Sequence, residues 1–111
     1  MTTDQATAYT ALVQRRARHE PLPYITGRVE FYRRDFAVTP DVLIPRPETE
    51  LLVETALDWI DSHAVSRAVD VGAGSGCIAV TLAAEAPTLS VLAVDLSAHA
   101  LRVARANATR H

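Results

Sequence analysis

Cysteine occurs once, at Cys77, so no internal disulfide can form and a reducing, cytoplasmic setting is expected. No apolar run reaches membrane-spanning length, and Met1 to Arg18 lacks the apolar core of a signal peptide. Strong charge of either sign is missing as well. A formal net charge of −2 over 111 residues argues against a general nucleic-acid binder and against a disordered tail. His19, His63, His99 and His111 are scattered without ligand-like spacing, so no metal site is expected. The chain has no internal repeat and no low-complexity segment. What remains, 49% hydrophobic and 22% charged, is the composition of one small folded domain or part of a larger one.

Four blocks follow one another along the chain. Residues 3 to 18 put Ala6, Tyr9, Leu12, Val13 and Ala17 on one helical face, with a stop at Glu20-Pro21-Leu22-Pro23. Residues 27 to 44 alternate as a β-hairpin, with Val29 and Phe31 before an Arg33-Arg34-Asp35 turn and Phe36 and Val38 after it. Tyr24 and Phe31 are expected in its core. Ile44-Pro45-Arg46-Pro47-Glu48 is a stiff entry, because each proline fixes φ and restricts its predecessor. A helix from Pro47 to about Ser62 follows, predicted to bury Leu51, Leu52, Ala56, Leu57 and Ile60. The last block reads strand (Ala68 to Val71), helix (Cys77 to Ala84), strand (Ser90 to Val94) and helix (Ser97 to about Arg110). This β-α-β-α order opens a parallel sheet and makes the fold class α/β.

Glycine is scarce, and three of the four residues fall in one loop: Val69-Asp70-Val71-Gly72-Ala73-Gly74-Ser75-Gly76. An apolar run ending in an acid, then alternate glycines, then a helix start, outlines a nucleotide-type cofactor site whose amides favour an anionic group. Asp95 stands 19 residues beyond Gly76, where a βαβ unit places a ribose-binding carboxylate. The spacing is G-x-G-x-G, with Cys77 where a dinucleotide fingerprint would carry its third glycine. Asp70 would repel a pyrophosphate but suits a ligand bearing an ammonium and a sulfonium. S-adenosylmethionine is such a ligand, with Asp70, Gly72, Ala73, Gly74, Ser75 and Gly76 at its methionyl end and Asp95 on the ribose hydroxyls. Cys77 itself is expected to be a small buried residue packed against the strand.

Only two core strands are present, and His111 falls where the next parallel strand is due. The expectation is therefore a part of a longer protein or a truncated gene product. An exposed parallel edge invites self-association, and dimerisation is the alternative way to cover it.

With Pro21-Leu22-Pro23-Tyr24-Ile25-Thr26-Gly27, Phe31-Tyr32, Val42 to Glu50, Val69 to Gly76 and Ala93-Val94-Asp95 in view, the chain resembles the HemK/PrmC family. These are glutamine N(5)-methyltransferases of peptide-chain release factors. The resemblance covers roughly residues 12 to 111, and Leu43 to Glu50 is its most specific part. It implies a helical N-terminal domain whose last helix is residues 1–20. A β-hairpin linker at 21–46 and the front of a class I, Rossmann-like methyltransferase domain at 47–111 would follow. It implies a release factor as partner, and it places Arg46 and Glu48 near the mouth of the site, with bracing of each other as the plainer role. A solvated face is the expected role of Arg15, Arg16, Arg18, Arg33 and Arg34.

The family's Asn-Pro-Pro-Tyr substrate motif is absent: the one asparagine is Asn107, followed by Ala108, and no two prolines adjoin. An amide nitrogen is a poor nucleophile, and in the family that motif is thought to aim it, a positioning effect on the order of several kcal/mol. The chain alone is expected to have little or no transferase activity, and none of its residues stands out as a catalytic base. Three alternatives remain at this level: methylation of a nucleic-acid base nitrogen, a non-catalytic cofactor-binding fragment, and an NAD-linked oxidoreductase. The last is disfavoured by the glycine spacing and Asp70.

Overall fold

A computed structural model describes residues Met1–His111. The order is α1 (Thr3–Ala17), α2 (Leu22–Thr26), β1 (Arg28–Phe31), β2 (Arg34–Ala37), α3 (Thr49–Ser62), β3 (Arg67–Val71), α4 (Cys77–Glu85), β4 (Ser90–Val94) and α5 (Ala98–Arg110). Strands β1 and β2 form an antiparallel hairpin; β3 and β4 form a separate parallel pair joined through α4, giving the expected α/β unit.

Helix α1 starts with a capping box in which Thr2 and Gln5 satisfy each other's backbone N–H groups. Its apolar residues do not reach a core: none is buried, and Tyr9 stays 61% exposed. The helix is tied down at its end instead. The Arg15 guanidinium donates twice to Glu20, at 2.7 and 2.6 Å, so Arg15 is not simply solvated. The stop read at Glu20-Pro21-Leu22-Pro23 runs directly into the short α2, Leu22–Thr26. Tyr24 is half-buried there, and its hydroxyl donates to the Val42 carbonyl at 2.6 Å.

The hairpin turns one residue earlier than Arg33-Arg34-Asp35. Tyr32 and Arg33 both take positive φ, the geometry of a two-residue turn that matches strand twist. Glu50 at the start of α3 accepts the Tyr32 N–H at 2.8 Å and steadies that turn. Pairing Val29 with Phe36 then puts Phe31 and Phe36 on one buried face, edge to face at 6.0 Å. A three-residue turn at Arg33-Arg34-Asp35 would instead set Phe36 opposite Tyr32 and turn it to the face away from Phe31.

Helix α3 corrects the predicted core. Leu51 and Leu52 are exposed, whereas Val53 is fully buried and Ala56, Leu57 and Ile60 pack beside it. The set 53, 56, 57, 60 is the i, i+3, i+4, i+7 stripe; Leu52 lies about 40° beyond its edge and Leu51 on the opposite side of the helix. Phe31, Phe36, Val53, Val80, Leu82 and Leu89 form the main core. Ala68 and Val91 of the parallel pair pack onto that core, while Val69, Val71 and Leu92 occupy the exposed opposite face.

Candidate functional site

The two parallel strands end side by side, with Val71 paired to Val94, so the residues that follow each strand meet. The Val94 carbonyl accepts both Gly72 N–H (2.8 Å) and Ala73 N–H (3.0 Å), which folds the loop back across the end of β4. Gly74 takes φ +56° and Gly76 φ +83°, a region where a side chain is strained. They differ in surroundings. A Cβ on Gly74 would meet nothing within 4 Å, so the loop faces open space there; one on Gly76 would come within 3.1 Å of the Ala104 side chain of α5.

Asp95 stands at the centre of this junction. Its two oxygens accept the backbone N–H groups of Gly74 (2.9 Å) and Ser97 (2.8 Å). Those two amides hold its carboxyl below the ordinary carboxylate value, so it is a firm anion. Asp70, at the end of β3, is half-buried and accepts Ala79 N–H of α4 at 3.2 Å. Burial pushes its carboxyl up, and the charge of nearby Asp95 adds to that against the opposing Ala79 bond. The Cys77 thiol is likewise pushed up by burial, which disfavours its thiolate.

A cavity of about 350 Å³ opens over the loop. Gly72, Ala73, Gly74, Ser75 and Asp95 line one side, and the segment Asp41 to Arg46 lines the other. Of the sequence candidates, these five loop and strand-end residues and Arg46 come together. Gly76 instead packs beneath α5, Asp70 lies behind the lining, and Glu48, just before α3, is not part of the wall. Arg46 and Glu48 form no ion pair. Ser97, which also lines the cavity, was missed from sequence; it caps α5 by accepting Ala100 N–H, and a serine before an apolar helical run was the available signal. No three His, Cys, Asp or Glu side chains converge as a metal ion would require.

The cavity wall thus offers the carboxylates of Asp95 and Asp41, a glycine-floored opening and the Arg46 guanidinium, with Asp70 outside the lining, a set suited to a ligand with cationic and hydroxyl groups at one end.

Comparison with known proteins bears on what such a ligand is. Residues 47–111 match the methyltransferase small domain model, and residues 1–27 match the PrmC N-terminal domain. The release factor glutamine methyltransferase of Koribacter versatilis is 52% identical over 110 residues, covering 99% of this chain and 39% of that protein. Its counterpart in Nitratidesulfovibrio vulgaris is 60% identical over 103 residues, 93% of this chain and 35% of that protein. A bifunctional methyltransferase of Rickettsia typhi is 38% identical over 122 aligned positions, 94% of this chain and 24% of that protein. The chain therefore spans well under half the length of these curated relatives.

Proposed function

The chain belongs to the methyltransferase small domain family, and on that premise we propose that it carries the S-adenosylmethionine half of a release factor glutamine methyltransferase site. The observation that carries the reading is the Asp95–Gly74 junction: a firmly ionised carboxylate at the end of one parallel strand, bonded to the glycine loop that follows its neighbour. The resemblance of Leu43 to Glu50 and the printed names of the relatives support the same assignment.

The residues present fit the cofactor. Open space above Gly72 and Gly74 is a cradle that side chains would fill. Asp70, behind the loop, would attract the ammonium, and Asp95 would offer its remaining lone pairs to the ribose hydroxyls after accepting its two amides. Arg46, across the cavity, would stand at the mouth. When bound, the cofactor supplies an electrophilic methyl on sulfonium. In the whole protein that methyl would be available to a glutamine side-chain nitrogen, with Asp70 and the Gly72 to Gly76 loop holding the methionyl end and Asp95 the ribose, so this chain's task is to bind and orient.

In this reading, residues 1–20 close an N-terminal helical domain, 21–46 link, and 47–111 begin a Rossmann-like methyltransferase domain. The missing Asn-Pro-Pro-Tyr motif favours binding without transfer by these 111 residues alone. Calorimetric titration of S-adenosylmethionine into the chain should give saturable binding that Asp95→Ala abolishes. A chain folded by circular dichroism that does not bind would overturn the cofactor assignment.

A further inference from the structure

Asn107 is the only asparagine of the chain and is completely buried, and it is not itself part of the cavity wall. Its side-chain oxygen accepts Ala37 N–H at 2.8 Å, and its Nδ2 donates to the Ala37 carbonyl at 3.0 Å. The amide thus continues the outer edge of β2 as a further strand residue would. The same Nδ2 donates to the Ser75 carbonyl at 2.8 Å, inside the glycine loop. The opposite amide orientation would point oxygen at two carbonyls, so the network admits one assignment.

Asn107 does not act by itself. Ala100, Ala104 and Asn107 are the buried i, i+4, i+7 face of α5. Ala100 packs with Val38 and Val42, the residues that lead from the hairpin into the Asp41–Arg46 wall. Ala104 meets Gly76 at the far end of the loop. The face therefore packs against both walls, and Asn107 adds polar bonds to Ser75 in one wall and to Ala37 in the strand that leads toward the other.

We propose that Asn107 is a positioning residue that ties the hairpin to the glycine loop and so sets the spacing between the two walls of the cofactor cavity. The proposal rests on the cofactor reading above for its ligand, but its geometry does not depend on it.

The test is amide hydrogen exchange on the 111-residue chain, comparing the parent with Asn107→Asp, which keeps an acceptor for Ala37 N–H but loses both donors. Without ligand, the variant should speed exchange at Gly76, whose N–H is bonded to Ala73, by about tenfold or more. Ser90, bonded to Ser66 at the remote end of the sheet, should not change. With S-adenosylmethionine, the parent should gain protection at Ala37 across the bridge; the variant should bind about tenfold more weakly and show no such gain. Unchanged Gly76 exchange, or ligand-induced protection at Ala37 that survives the substitution, would overturn the proposal. If the parent does not bind the cofactor, the cofactor reading fails while Gly76 exchange still decides this one. Should Asn107→Asp unfold, Asn107→Ala is read in the same way; loss of Ser90 protection in both would make Asn107 a requirement of folding, and the proposal falls.

Discussion

Asp70 and Asp95 are the same residue type at the ends of two paired strands, yet the fold moves their protons in opposite directions. Asp95 gains two backbone donors and little burial, so its carboxyl is held down. Its stabilising contribution is present above the ordinary carboxylate value and is lost as pH falls through the lowered one. Asp70 is pushed up, chiefly by burial. It favours the folded chain below the unfolded value, and that contribution is lost as pH rises through the raised one. In its proposed role beside the ammonium, Asp70 must be ionised. Affinity for S-adenosylmethionine should therefore weaken on acidification through the raised Asp70 value, by at most about tenfold per pH unit. Binding there should take up the ligand with release of a proton. Calorimetry in two buffers of different ionisation enthalpy checks this, and Asp70→Asn should bind more weakly with that pH dependence gone.

At the scale of elements, α3 separates what packing decides from what composition suggests. Val53→Ala should cost about 2 kcal/mol, since a fully buried side chain loses two methyl groups and leaves a small cavity. Leu52→Ala, at a position 56% exposed, should stay within about 0.5 kcal/mol. Urea unfolding of both variants measures the difference. The β-α-β-α order was legible because glycine, proline and apolar runs punctuate it, and the strand ends came out as read. The loop and Asp95 were legible because their chemistry is local: one stretch of glycines and one acid at a fixed distance. Three things were not. The Leu51-Leu52 pair looks like core until the helix phase is set by Phe31 and Phe36 on a distant hairpin. The turn at Tyr32-Arg33 lacks the Asn-Gly signature that usually announces positive φ. Asn107 offers no pattern at all, because its three partners lie 32 and 70 residues away.

Considered as a whole, the molecule has one well-filled side and one bare one. Helices α3, α4 and α5 and the hairpin gather on one side of the parallel pair, leaving Val69, Val71 and Leu92 more than half exposed on the other. A contiguous apolar strand surface of this kind should bind the dye 1-anilinonaphthalene-8-sulfonate, and Leu92→Lys should lower the fluorescence without loss of circular dichroism. The opposite extreme is α1, which buries none of its residues and stretches the molecule to 57 × 26 × 23 Å. The radius of gyration, 16.5 Å, exceeds the roughly 13 Å typical of a rounded chain of this length. A rod attached to a ball drags more water than its mass warrants. On a calibrated gel-filtration column a single copy would emerge early and pass for something heavier, so only light scattering would weigh it correctly.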